Sequence, residues 1–85
     1  MENSSKIVLL VDDEEIIREV GSKMLERMGY DVLTASSGAE ALACYQEHRE
    51  RIALVILDLI LPDMSGGDAF DRIRGAANHR NGSVA

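Results

Sequence analysis

The feature that most constrains the fold is the alternation of short apolar runs with segments of helical period. Ile7–Val11 is a continuous apolar run rich in β-branched residues, which predicts a strand covered on both faces. From Glu14 onward the apolar residues recur every three or four positions, as in an amphipathic helix, and Gly29 follows where a helix end favours a left-handed residue. The apolar positions of this helix, which we expect to pack on the core, are Ile17, Val20, Met24 and Met28.

The same alternation continues through two further strand and helix pairs. Val32–Ala35 and Ala53–Leu57 are predicted strands, and Ser37 with Glu40 has the spacing of a capping box that opens a helix ending near position 48. Residues 61–67 form a predicted loop because of their Pro, Asp, Ser and Gly content, and a third helix follows from Ser65 to about position 75. The order β-α-β-α-β-α predicts an α/β fold with a parallel sheet and right-handed crossovers.

Length and composition narrow the class of protein. The 85 residues suffice for one small domain, which we place at residues 1–75, with 76–85 as a tail or loose connection. The net charge of −6 and the absence of a basic stripe argue against nucleic acid and anionic membranes as partners. The longest apolar run, Ile52–Leu57, is too short to span a membrane, and residues 1–6 lack a signal-peptide pattern, so we expect a cytoplasmic protein.

Acidic residues stand at the ends of two predicted strands. Asp12 and Asp13 close the first strand and Asp58 closes the third, so all three meet at one edge if these strands are neighbours. Acids before a helix also serve as caps, and that role alone could explain the pair after the first strand. Asp58 has no helix to cap until Ser65, which favours a functional site. Carboxylates held close together repel one another, and oxygen ligands favour Mg²⁺ or Mn²⁺ as the compensating cation.

Three stretches in register carry a resemblance to a known family. "KIVLLVDDEE", "GYDVLTASSGAEAL" and "ALVILDLILPDMSGGDAFDRIR" resemble the receiver domain of two-component response regulators, and "SGGDAFDRIR" is especially similar to receivers attached to hybrid sensor histidine kinases. The resemblance implies a phosphorelay function, with a histidine kinase or phosphotransfer domain as partner. It also implies that this is a phosphoacceptor rather than an enzyme in its own right.

The resemblance assigns roles residue by residue. It implies that Asp58 accepts the phosphoryl group, that Asp13 ligates Mg²⁺ directly and that Asp12 acts through water. It further implies that the backbone carbonyl of Ile60 completes the metal shell. Two further positions match the loop that shapes the site, namely Pro62 and Gly66.

The chain departs from the family pattern at its C-terminal side. Family members have a flavodoxin-like, doubly wound sheet of five strands in the order 2-1-3-4-5, whereas this chain matches three strands in the order 2-1-3 and lacks strands 4 and 5. The Ser/Thr and Lys that assist phosphoryl transfer therefore have no counterpart, since Lys6 and Lys23 are not at matching positions. We expect weak metal binding and little stable phosphorylation for this chain alone.

Two alternatives come from other classes of protein. The third strand becomes an edge with unpaired backbone groups, so the chain could be an interaction module that forms a homodimer through that edge. A phosphatase of the haloacid dehalogenase type needs a second aspartate two residues after its nucleophile, where this chain has Ile60. A dinucleotide-binding fold is disfavoured because acids stand where its glycine motif would follow the first strand.

Overall fold

The computed structural model describes residues 6–58 and 60–80, the last four by their backbone only. Within these residues three strands alternate with three helices, as the sequence predicts. In chain order they are β1 (Ile7–Val11), α1 (Glu15–Arg27), β2 (Asp31–Ala35), α2 (Gly38–His48), β3 (Ile52–Leu57) and α3 (Gly66–Arg80).

The predicted end of the third helix near position 75 is wrong. Helix α3 continues to Arg80, so residues 76–80, predicted as part of a tail, are helical. An exposed glycine inside a helix costs only about 1 kcal/mol relative to alanine, and the two alanines that follow Gly75 favour the helical state. Residues 81–85 lie outside the described part of the chain.

The sheet has three strands in the order β2-β1-β3, and both neighbouring pairs are parallel. Val11 at the end of β1 is level with Ala35 of β2 and with Leu57 of β3. The register with β3 shifts between Ile7 and Val8 and is regular from there to the end of the strand. The predicted α/β architecture and the 2-1-3 strand order are therefore confirmed, and the carboxyl ends of all three strands lie at one edge.

The core lies between the sheet and helices α2 and α3. Every residue of β1 is buried, as expected for a central strand between two neighbours. The buried cluster on this face is formed by β1, by the last residue of β2, by helices α2 and α3 and by the loop before α3, and partly buried residues of β3 pack against it. Its members are Leu9, Val11, Ala35, Ala41, Leu61, Ala69 and Ile73.

The opposite face of the sheet is only partly covered by α1. The residues predicted to pack on the core from this helix are exposed, from 44% for Ile17 to 68% for Met28, so that part of the prediction is wrong. Leu10 faces α1, because its side chain would meet a Cβ added at Gly21. Its register partner Ile56 on β3 is 38% exposed, so the apolar surface continues from α1 across the edge of the sheet.

The connection from α1 into β2 depends on one glycine. Gly29 has a φ of 99°, the left-handed conformation that a side chain disfavours. Its N–H donates to the carbonyl of Glu26 at 3.0 Å, and the N–H of Tyr30 donates to that of Leu25 at 3.2 Å. These two bonds end the helix in a Schellman-type turn and confirm the predicted role of Gly29.

Candidate functional site

Three carboxylates meet at the carboxyl edge of the sheet. Asp12, Asp13 and Asp58 each offer an oxygen that lies within 4.8 Å of the other two. The strand pairing produces this arrangement, because the N–H of Asp58 donates to the carbonyl of Val11 at 3.0 Å and so aligns the ends of β1 and β3. Asp12 and Asp58 are half-buried, whereas Asp13 is exposed. The predicted convergence of the three acids is thus present in the structure.

Asp12 also has a local structural role. Its Oδ1 accepts a hydrogen bond from the N–H of Glu14 at 2.9 Å, which fixes the turn into α1. Glu14 stands at the N-cap position but makes no side-chain cap of its own. The guanidinium of Arg18 donates to the backbone carbonyl of Asp12 at 2.7 Å and holds the turn from the helix side. Asp12 therefore stabilises the turn while its carboxylate lies in the cluster of three acids, and sequence reasoning did not identify Arg18.

The donor set fits a hard divalent cation. Mg²⁺ and Mn²⁺ prefer carboxylate oxygens, and two oxygens on opposite sides of one Mg²⁺ are about 4.2 Å apart. The three carboxylate oxygens, all within 4.8 Å of one another, lie close to that separation. A cation at this position would also offset the repulsion among the carboxylates.

The loop after Asp58 turns back on itself. The N–H of Ile60 lies 3.5 Å from Oδ1 of Asp58, and Ile60 forms an isolated antiparallel bridge with Ser65. The N–H of Leu61 donates to the carbonyl of Met64 at 3.1 Å, and the Leu61 side chain is buried in the core. The loop is therefore closed at its base and anchored beneath, with the exposed side chain of Ile60 on the outside.

Pro62 and Gly66 belong to this same segment. Pro62 is exposed at the bend, and Gly66 is buried where α3 begins. Their predicted effect on the shape of the site stays a prediction, as does the role of the Ile60 carbonyl. The predicted helix start at Ser65 is confirmed, because its Oγ accepts from the N–H of Asp68 at 3.0 Å.

A contact that sequence reasoning missed joins this loop to α2. The carboxylate of Asp63 accepts hydrogen bonds from the N–H of Gly38 at 2.7 Å and from the N–H of Ala39 at 2.9 Å. These are the first two amides of α2, which have no partner inside the helix. Asp63 is 25 residues away in sequence from Gly38, so no local pattern points to it.

The neighbouring cap comes from within the α2 segment. The N–H of Glu40 donates to Oγ of Ser37 at 3.1 Å, as the capping-box spacing predicts. The Glu40 carboxylate, however, accepts from the N–H and the hydroxyl of Ser36, at 2.6 and 2.8 Å. The reciprocal half of the capping box is thus displaced by one residue.

Hydrogen bonds lower the pKa of two carboxylates near the start of α2, those of Asp63 and Glu40. The backbone N–H groups of Gly38 and Ala39 hold the pKa of Asp63 below its ordinary value, and the nearby Arg72 acts in the same direction. The backbone N–H of Ser36, followed by its hydroxyl, does the same for the pKa of Glu40. Both groups are therefore ionised at neutral pH, as bidentate or paired acceptors should be.

Gly38 is required where the loop crosses α2. A Cβ added at this position would overlap the side chain of Met64, at three of its atoms at once. Met64 itself is partly buried and packs against the buried core cluster. The glycine therefore lets the loop that carries Met64 and Asp63 lie directly on the first turn of α2.

Similarity to known proteins defines the class to which this chain belongs. The family model for the response regulator receiver domain matches residues 8–83. The chain is 49% identical over 70 residues to the transcriptional regulatory protein KdpE of Mycobacterium tuberculosis H37Rv, which is 81% of this chain and 30% of that protein. The chain belongs to the response regulator receiver domain family, whose members are signalling phosphoacceptors in two-component systems.

Solved structures agree with this assignment. The receiver domain of the hybrid histidine kinase CckA superposes with a TM-score of 0.78 at 37% identity, over 82% of this chain and 65% of that chain. A chain of the CheX-CheY-BeF₃-Mg²⁺ complex from Borrelia burgdorferi superposes with a TM-score of 0.79 at 30% identity, over 82% of this chain and 53% of that chain. The match to CckA bears out the predicted similarity to hybrid-kinase receivers. The chain spans less than a third of KdpE and about half to two thirds of these solved chains.

One structural finding bears on membrane association. None of the helices within residues 6–58 and 60–80 has both the length and the apolar character needed to cross a membrane.

Proposed function

We propose that this chain is the phosphoacceptor portion of a cytoplasmic phosphorelay, and that Asp58 accepts a phosphoryl group from the histidine of a kinase or phosphotransfer domain. The observation that carries the proposal is the convergence of Asp58 with Asp12 and Asp13 at the carboxyl edge of the sheet. Parallel α/β sheets bind ligands at this edge. The CheX-CheY-BeF₃-Mg²⁺ complex contains a chain of the same fold, and its Mg²⁺ supports a metal-dependent phosphoryl acceptance in this chain.

Each carboxylate has a separate duty in this proposal. An oxygen of Asp58 forms the bond to phosphorus while the bond from phosphorus to the donor imidazole nitrogen breaks, and the imidazole leaves with that electron pair. Asp13, the most exposed of the three, would ligate Mg²⁺ directly, Asp12 would act through water, and the backbone carbonyl of Ile60 would complete the metal shell. Mg²⁺ or Mn²⁺, when bound, would neutralise negative charge on the phosphoryl group during its transfer.

For these 85 residues alone we propose weak phosphorylation and weak autodephosphorylation. The family's phosphoryl-binding Ser/Thr and Lys have no counterpart in the sequence, so the transferring oxygens meet fewer hydrogen-bond donors. Loss of one such donor commonly costs about 10²–10³-fold in rate. The three acids and the metal would still direct the reaction to Asp58.

Labelling with acetyl phosphate tests the assignment. Incubation with acetyl phosphate and MgCl₂ should add at most one phosphoryl group, slowly and incompletely, as measured by intact mass spectrometry. EDTA should suppress the label and Asp58→Asn should remove it, whereas Asp68→Asn, an exposed aspartate on α3, should leave it unchanged. Label that persists in Asp58→Asn would contradict Asp58 as the acceptor, and rapid stoichiometric labelling of the unaltered chain would contradict the proposed impairment.

A second candidate function is self-association through β3. In the described part of the chain β3 pairs only with β1, so its other side presents unpaired backbone groups. Leu54 and Ile56 on this strand are 53% and 38% exposed. An apolar groove of about 330 Å³ runs beside β3 and is lined at its far side by Tyr45, Phe70 and Arg74. We propose that two copies pair β3 with β3 about a two-fold axis and form a six-stranded sheet.

Light scattering as a function of concentration tests this pairing. The unaltered chain should shift from monomer to dimer mass as its concentration rises. Leu54→Lys places a charge on the proposed contact and should keep the chain monomeric, whereas Ala43→Lys, on the exposed surface of α2, should not. A monodisperse monomer at high concentration would rule the dimer out.

A further inference from the structure

The contact between Asp63 and α2 joins two segments that both border the acidic site. One comprises Asp58 and the loop residues 60–65. The other is the start of α2, which follows directly on β2, whose last residue Ala35 accepts the N–H of Asp12 at 3.1 Å. Asp63 bridges the two with both of its carboxylate oxygens, at 2.7 and 2.9 Å.

We infer that Asp63 is a positioning residue that holds Ile60, and through it Asp58, in the geometry needed to bind a divalent cation. This inference rests on the proposed function for its metal-binding part only. Asp63 does not itself reach the carboxylate cluster, and it acts through the loop backbone. Its two charge-assisted hydrogen bonds form a fixed fork at one end of a loop whose other end carries Asp58.

The connections within the loop are short enough to transmit this constraint. Met64, next to Asp63, lies against Gly38 so closely that no Cβ fits between them, and its carbonyl accepts the N–H of Leu61 at 3.1 Å. Leu61 adjoins Ile60, whose own N–H points to Asp58 at 3.5 Å. A displacement of Asp63 from α2 would therefore be passed to Leu61 and Ile60 within a closed turn of six residues, 60–65.

Most residues of the loop 60–65 face solvent, so few other contacts could replace the hydrogen bonds of Asp63 to α2. Ile60 is 77% exposed, and Pro62 and Asp63 are exposed as well. The buried contacts of the loop are those of Leu61 below and Met64 beside Gly38. Removal of the Asp63 carboxylate would leave the upper part of the loop held by these two side chains.

A comparison of Asp63→Ala, Asp63→Asn and Ser37→Ala separates positioning from simple helix capping. All three weaken the N-terminal hydrogen bonds of α2, but the bond from the N–H of Glu40 to the hydroxyl of Ser37 lies within the α2 segment, whereas the bonds to Asp63 join that segment to the loop. Asp63→Asn keeps one acceptor oxygen and should have an intermediate effect. The readouts are the Mg²⁺ dissociation constant by calorimetry, hydrogen exchange of the Ile60 and Leu61 amides by NMR, and thermal unfolding by circular dichroism.

We expect Asp63→Ala to raise the Mg²⁺ dissociation constant about tenfold, the size of effect seen when a group that orients a ligand is removed. Exchange of the Leu61 amide should become about fivefold faster or more, as when a capping side chain is lost. Ser37→Ala should lower the unfolding temperature. It should leave the Mg²⁺ dissociation constant and the exchange rate of the Leu61 amide near those of the unaltered chain.

Two results would overturn the inference. One is a Leu61 exchange rate in Asp63→Ala equal to that in Ser37→Ala, and the other is an unchanged Mg²⁺ dissociation constant. If the unaltered chain binds no Mg²⁺, the metal step of the proposed function fails and so does the claim that Asp63 tunes it. The exchange rates in that case still decide whether Asp63 holds the loop.

Discussion

Leu9→Ala should lower the free energy of unfolding by about 2–5 kcal/mol, the range found when a buried leucine is truncated in a well-packed core. Leu9 is fully buried at the centre of β1, the strand that pairs with both others. A domain of this size has a total stability of about 4–13 kcal/mol, so the variant should lose a large fraction of its stability. Urea unfolding followed by circular dichroism at low protein concentration measures the change.

Leu54→Ala is the matched control for that experiment. It removes the same atoms from a neighbouring strand, but Leu54 is 53% exposed, so its truncation leaves no closed cavity. We expect a loss below about 1 kcal/mol, as is usual for surface positions. Equal losses at the two positions would mean that β1 is not the centre of the core.

Asp13→Asn should weaken Mg²⁺ binding by at least about tenfold, because loss of even an indirect metal partner commonly costs 10–100-fold. In the unaltered chain, Mg²⁺ that binds the folded state should raise the unfolding temperature, and a concentration of 100 times the dissociation constant is worth about 2.7 kcal/mol. Most of that rise should disappear in Asp13→Asn. Thermal unfolding with increasing MgCl₂, compared with EDTA, measures it.

Asp31→Asn controls for the change in net charge. Asp31 is exposed at the start of β2, at the opposite end of the sheet from the three acids. It should keep the full Mg²⁺ response. In the presence of EDTA, Asp13→Asn should be at least as stable as the unaltered chain, because one of three mutually repelling charges is gone. A Mg²⁺ response that survives in Asp13→Asn would contradict its role as a direct ligand.

Most of the fold and the carboxylate cluster could be predicted because both follow from local patterns combined with topology. The change of apolar period marks each element, and parallel strands bring their carboxyl ends to one edge. Asp12 and Asp58 are 46 positions apart in sequence, yet the rule for parallel sheets places them together once β1 and β3 are known to be neighbours. Family resemblance then separates the roles of otherwise similar aspartates.

The features that were predicted wrongly or missed also have physical causes. Amphipathic spacing shows which side of α1 is apolar, but it does not show whether anything covers that side, and Met24 is 61% exposed. Helix ends are marked weakly when an exposed glycine is followed by alanines, which is why α3 was predicted to stop near position 75. The bond from Asp63 to Gly38 joins positions that no local period relates. Contacts of this kind depend on how a loop lies in space.

The central position of β1 has a consequence for the chain while it is being made. This strand leaves the ribosome first of the three, but its second neighbour, β3, ends about 45 residues later. At synthesis rates of about 5–20 residues per second, the most apolar segment of the protein waits roughly 2–9 s for that partner. During this interval β1 can pair only with β2, and its other side is open to chaperones or to a second nascent chain on the same messenger.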